Sequence, residues 1–489
     1  MLFVNAVLAL FYVPLLLQFL TVSEYGIFEL GSTIIVFLSM MDFGLSAALS
    51  RFYVYEEATD HRRLPDLIAT SLLIYAFLTA VAVLLAFWML SSVDTLFGNS
   101  FSESELVLTR QAMLLVLINC LFVIPATWVT GLITAKERFV FLRGLTLVRS
   151  AFQFALIALV LVMSSSVVLA LGVQVAMNAV VLVVSLWYAI ARAGLELRVG
   201  RWRWSQARAM LSFSLLLAVI VAFDLVFWRT GPFILGAVSG TAAIASYAIV
   251  TRLIVSVVMP LGTSISSVFL PRLTQLDSLP GGSVEIGRLF IRIGRIQAIL
   301  VWGLVGGFAL LGQDLIHLWI GDQFADVYPS ALLLMLGLSI STIQSLGNSI
   351  LQARNQLGFK AGLFATMLVI FLSLSIPVAS HFQVIGLATL GAIVLFLGTG
   401  PVMNFYYHHK IGIDTAAFFR STLPALLPVL VAMAIVFGAR RVIPVQDSWL
   451  SLGLWSIVFL LLYTVLLWFL FLNAEEKAPA RGIVARIRR

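Results

Sequence analysis

A chain of 489 residues in which 61% are hydrophobic and only 11% charged, with a mean hydropathy of +1.08, lies outside the composition of soluble globular domains and inside that of polytopic membrane proteins. Its net charge of +8 is dealt out in small clusters beside apolar segments, which excludes a contiguous nucleic-acid-binding surface. The single cysteine, Cys120, excludes an intramolecular disulfide and a two-cysteine zinc site.

A bilayer core about 30 Å thick needs roughly 20 apolar residues per helix, because each adds about 1.5 Å of rise and no backbone group can stay unpaired in lipid. About fourteen stretches meet that length, at residues 2–20, 28–49, 67–90, 107–135, 145–163, 167–190, 210–235, 241–270, 296–320, 331–351, 363–380, 384–405, 418–437 and 450–472. The predicted fold class is therefore all-α, a membrane-embedded bundle. The first stretch lacks a basic leader and runs directly to Thr21, Val22 and Ser23, so it reads as a span and not as a cleavable signal.

Lys and Arg set the orientation, since cytoplasmic loops retain positive charge. Of the 30 basic residues, 23 fall in alternate gaps and in the C-terminal tail, and only Arg440 and Arg441 fall in the opposite loops. Both termini are thus expected in the cytoplasm, and a cell inner membrane is the expected location. The largest break in composition is a basic linker containing Trp202 and Trp204. The expected division is a six-helix lobe at 1–191, the cytoplasmic linker at 192–208, a second six-helix lobe at 209–415, two accessory helices at 416–473 and a basic cytoplasmic tail at 474–489. Each lobe opens with a hairpin carrying small residues and an aromatic, Ser23, Tyr25 and Gly26 in one, Gly240, Ala242 and Tyr247 in the other.

No gap exceeds 25 residues, which leaves no room for a soluble catalytic domain, and phosphate-cradling loops, HExxH spacing and a nucleophile elbow are missing. The expectation is a protein that is not an enzyme and carries no cofactor or metal.

Charges inside the spans carry the functional signal, because an ionised side chain near mid-bilayer costs at least about 2.5–3.5 kcal/mol. Arg110, Arg149 and Arg420 lie near span ends and are expected to snorkel to headgroups. Asp224 and Arg252 each lie eleven residues from the outer end of their spans, about 16 Å deep. They read as a shared site or as an ion pair that orders two helices. Arg229 reads as a second anion contact or a snorkelling anchor. Asp42, in Asp42-Phe43-Gly44-Leu45, reads as a protonatable cavity group or as a cap where Gly44 breaks the helix. Asn119, Gln174 and Asn178 read as helix–helix hydrogen bonds or as the lining of a hydrated cavity; Gln174 and Asn178, four apart, share a helix face.

Several short runs resemble the oligosaccharide and polysaccharide repeat-unit flippases, a branch of the superfamily that includes multidrug and toxin extrusion transporters. They are Ser23-Glu24-Tyr25-Gly26, Asp42-Phe43-Gly44-Leu45 with Arg51-Phe52, Ser246-Tyr247-Ala248 with Arg252-Leu253, Pro260 with Pro271, and Gly312-Gln313-Asp314 leading to Leu318-Trp319-Ile320-Gly321. The resemblance covers roughly residues 1–410. It implies a V-shaped pair of lobes around a central cationic cavity, alternating between inward and outward openings. It also implies a cargo of undecaprenyl diphosphate-linked oligosaccharide, with Arg252 at the diphosphate. Surrounding membrane lipids and a polysaccharide polymerase machinery are the other implied partners. Protonation or sodium occupancy at Asp224 or Asp42 is the expected source of coupling. The resemblance also implies a polar lead before the first span, whereas the sequence from Met1 opens almost directly into apolar residues. The main rival is a drug antiporter of the multidrug and toxin extrusion type, which would be expected to show an acidic and aromatic lumen.

Overall fold

The computed structural model describes residues 2–195, 198–277, 279–354, 356–443, 448–473 and 477, and no strand occurs among them. Ten helices among the described residues are long and apolar enough to cross a membrane, or eleven if one bent pair is a single span. Part of the difference from about fourteen predicted stretches has a visible origin: residues 358–411 form one continuous helical run that holds two of them. That run is interrupted at Gln383, whose backbone turns to φ 49°, ψ −133°, between the predicted spans 363–380 and 384–405. Arg481, Arg486, Arg488 and Arg489 of the predicted tail lie outside the described residues. The chain divides into two compact units, Met1–Ile249 with Phe364–Val384, and Val250–Leu363 with Ile385–Arg489.

The first unit begins with α1 (Leu2–Phe19), α2 (Val22–Ser39), α3 (Leu45–Thr59), α4 (Leu64–Ser91) and α5 (Val93–Phe97). It continues with α6 (Glu103–Ala135), α7 (Phe139–Ser164), α8 (Val167–Ala191), α9 (Trp204–Arg229), α10 (Gly231–Val238) and most of α11 (Thr241–Leu253). Capping boxes start α2 at Thr21/Glu24 and α6 at Ser102/Glu105, satisfying donors that the first turn cannot pair. Between α2 and α3 the chain passes through a 3-10 turn, Met40–Asp42, and then two left-handed residues, Phe43 (φ 45°) and Gly44 (φ 81°). Only Gly takes that conformation without strain. The Asp42 carboxylate accepts the Gly44 N–H at 3.1 Å.

Lipid tails are as apolar as leucine, so helices in a bilayer associate through close packing and hydrogen bonds rather than hydrophobic expulsion. Helix α6 is the hub, packed against α2, α3, α4 and α8. The two sequence-predicted hairpins meet here: a Cβ on Gly26 would stand 2.2 Å from the Thr241 carbonyl oxygen, and the Thr241 hydroxyl donates to Glu105 at 2.7 Å and lies 3.1 Å from the Ser23 hydroxyl. At the other end of these helices Arg51 lies over the Phe213 ring at 4.8 Å. Lys136 donates to Glu57 at 2.5 Å. Burial opposes the Lys136 charge, but Glu57 and Tyr53 outweigh it and hold the ammonium pKa above its usual range. The linker is strapped to the start of α4, where Asp66 accepts the Arg201 N–H at 2.8 Å and pairs with the Arg203 guanidinium.

The second unit contains α12 (Met259–Asp277), α13 (Gly282–Ile320), α14 (Val327–Ile343), α15 (Leu346–Ala353) and the remainder of α16 (Gly358–Leu397). Helices α17 (Met403–Tyr406), α18 (Thr415–Thr422), α19 (Leu426–Val442) and α20 (Trp449–Leu470) complete it. Helices α14 and α15 bend by 44° at Gln344, whose side-chain amide pairs with buried Asn404 at 2.7 Å. Arg295 ties the accessory helices to α13, donating to the carbonyls of Ser421 at 2.9 Å and Phe471 at 3.2 Å.

Candidate functional site

The polar side chains of the first unit converge on a cavity of about 630 Å³ between α2, α6, α7 and α8. Helix α6 contributes Thr127, Thr130 and Thr134, spaced by three and four residues so that all face one way. Helix α8 contributes Gln174 and Asn178, and α7 contributes Arg143, Thr146 and Arg149 at intervals of three.

The position of Arg149 differs from expectation. Helix α7 starts at Phe139, not near residue 145, because Phe139, Val140 and Leu142 carry the helix past Arg143. Arg149 therefore stands ten residues along it, about 15 Å from its start, and lines the cavity instead of reaching headgroups from a helix end. Arg110 instead takes a bidentate partner in Asp94 at 2.5 and 2.6 Å.

Each threonine hydroxyl on the cavity wall donates back to its own helix, Thr127 to Ile124, Thr130 to Thr127, Thr134 to Thr130 and Thr146 to Leu142, at 2.7–3.0 Å. Such bonds satisfy the hydroxyl locally and leave its lone pairs toward the cavity; rotation would let it donate to a ligand. Gln174 accepts from Ser32 at 3.1 Å, and Asn178 donates to fully buried Asn119 at 2.7 Å. These residues thus do both things the sequence allowed: they bond between helices, and two of them line the cavity. Asn119 stands behind Asn178, with its own buried amide nitrogen meeting no acceptor among the described residues.

Among the described residues no carboxylate lines this cavity, so its charge is set by two guanidiniums. A cation in a low-dielectric wall is costly unless an anion meets it, and a guanidinium fork matches phosphate or carboxylate oxygens in pairs. Such a wall is chemically suited to an anionic group with polar attachments.

Other predicted residues lie elsewhere. Asp42 is half-buried at the α2–α3 break, and does not line the cavity. Asp224 is exposed on α9 and Arg229 ends that helix, both in the first unit, whereas Arg252, in the last turn of α11, belongs to the second. The structure gathers Asn119, Gln174 and Asn178, and adds Arg143, Thr146 and Arg149. The signal for these additions was the three-residue spacing on α7, facing a matching threonine row on α6.

A family model described as "Polysaccharide biosynthesis protein" matches residues 1–277. Among solved structures, the lipid II flippase MurJ in an inward closed conformation is similar with a TM-score of 0.75 at 13% identity, over 95% of this chain and 97% of that one. An inward-facing multidrug resistance MATE family transporter of the MOP superfamily is similar with a TM-score of 0.57 at 13% identity, over 83% and 95% of the two chains. At such identity the likeness is one of fold. No curated protein sequence matches the chain.

Proposed function

Because the chain belongs to the polysaccharide biosynthesis protein family, we propose that it is a flippase for lipid-linked oligosaccharides, carrying undecaprenyl diphosphate-linked repeat units from the cytoplasmic to the outer leaflet by alternating access. The observation that carries this reading is the cavity of the first unit, polar, lined by Arg143 and Arg149 and without a lining carboxylate among the described residues. A diphosphate bearing sugars loses its hydration on entering hydrocarbon, and guanidiniums with hydroxyls and amides replace part of it. The same wall disfavours an exporter of organic cations, which needs negative charge where the cargo sits.

In this reading Arg143 and Arg149 meet the phosphates on the cytoplasmic side, while Arg252 and Arg229 receive them later in the passage. Gln174 and Asn178, with Asn119 behind, contact the first sugars. Protonation or sodium binding at Asp224 and Asp42 biases the two states through differential affinity. The protein sits in the inner membrane with both termini cytoplasmic, its lobes at 1–191 and 209–415 joined by the linker, and delivers cargo to a polymerase machinery.

Depletion of the protein should leave lipid-linked saccharide on the inner leaflet, and wild type should clear it. Arg143→Ala/Arg149→Ala should clear it at least about tenfold more slowly, the cost of roughly one lost charge-assisted contact, while Arg252→Ala tests the later station alone. Normal clearance by the double variant would remove this cavity from the path.

A further inference from the structure

The run Gly312-Gln313-Asp314, leading to Gly321 at the end of α13, takes no part in the cavity of the first unit. In the second unit it forms a polar cleft with α14 and α19. Gly312 makes the cleft possible: a Cβ there would stand 2.9 Å from the Tyr328 ring. The ring therefore lies against the α13 backbone, and its hydroxyl donates to the Ala309 carbonyl at 2.7 Å.

Fixed in this way, Tyr328 forms with Gln313 and Asp314 the shared wall of two hollows. One, of about 430 Å³, extends to His317 and Asp322; the other, of about 520 Å³, extends to Phe437 and Arg440. Asp314 pairs with Arg440 and His317 with Asp322, and every one of these four side chains keeps a quarter or more of its surface exposed. Two other hollows of this unit, around Trp302 and Phe396 and around Gly303 and Phe459, are walled almost wholly by apolar side chains.

We propose that this cleft is a saccharide-binding site. Sugars present neighbouring hydroxyls that both donate and accept, and apolar C–H faces. Carboxylates accept two such hydroxyls, a glutamine amide donates and accepts at once, and a guanidinium donates as a fork, while an aromatic wall covers the C–H face. Both hollows have the size of small-molecule sites, about 300–1,000 Å³. The cleft stands at the far end of α13 from Arg288, Arg292 and Arg295, which is the outer side if the arginine-bearing turns are cytoplasmic. The site rests on the flippase reading in one respect: the saccharide it meets is the glycan of the cargo as it emerges.

The test uses the purified full chain in detergent and saturation-transfer NMR with di- and trisaccharides of glucose, galactose and N-acetylglucosamine. At least one should receive saturation from the protein. Gln313→Ala/Asp322→Ala should weaken that binding about tenfold, as expected for lost hydrogen bonds to a charged and a polar partner, with Tm little changed because the Asp314–Arg440 pair remains and the His317–Asp322 pair that is lost is exposed. Arg288→Ala, at the opposite end of α13, should bind the saccharide as wild type does. Transfer to none of the panel, or transfer undiminished in the cleft variant, overturns the proposal; the single Gln313→Ala variant decides the case if the double variant loses Tm. Saccharide binding in a chain that moves no lipid-linked cargo would sink the transport reading and leave the cleft standing, and transport without saccharide binding would do the reverse.

Discussion

Asn119 and Asn178 form a buried amide pair joined by one hydrogen bond, donated by Asn178 and accepted by Asn119. Asn178→Leu removes the donor that Asn119 accepts at 2.7 Å and strips the cavity of one polar contact. The expected loss of stability is small, roughly 0.6 kcal/mol, because a polar group in a bilayer finds other partners when unfolded. The expected loss of transport is larger. A thermal-unfolding series in detergent beside a transport assay separates the two, and equal losses in both would mean that Asn178 serves packing alone. Phe43 is the other residue that stands out at this scale. A bulky side chain at φ 45° is strained, and it sits beside Asp42 at the break between α2 and α3.

At the scale of elements, the junction of α2 with the start of α11 depends on the absence of a side chain at Gly26. Gly26→Ala places a methyl 2.2 Å from the Thr241 carbonyl, so the helices must separate, at a cost of about 1–3 kcal/mol for such overpacking. Tm should fall accordingly, and the contacts of the Thr241 hydroxyl with Glu105 and Ser23 should loosen. An unchanged Tm would show that the junction has slack. The positions of the helices were largely legible in the sequence, since apolar length follows directly from bilayer thickness. The shared face of Gln174 and Asn178 was legible as well, because helical periodicity fixes it. The start of α7 was not: Arg138 and Arg143 interrupt the hydropathy although the helix continues, and this hid Arg149 among residues expected to snorkel. Nor was the bend at Gln344 legible, for no proline marks it and its partner Asn404 is distant in sequence.

At the scale of the whole molecule, an apolar bundle encloses a cationic, hydroxyl-lined cavity in one unit and carries a polar cleft at one end of the other. The first suits an acidic headgroup and the second a neutral glycan, the two halves of one lipid-linked molecule. The most direct measurement places the purified protein in vesicles containing a fluorescent undecaprenyl diphosphate-linked oligosaccharide and follows how much glycan an external lectin can reach over time. Wild type should bring inner-leaflet glycan to the outside faster than protein-free vesicles, and Arg143→Ala/Arg149→Ala should slow this sharply. Exposure no faster than in protein-free vesicles, under proton and sodium gradients of either direction, would contradict the account.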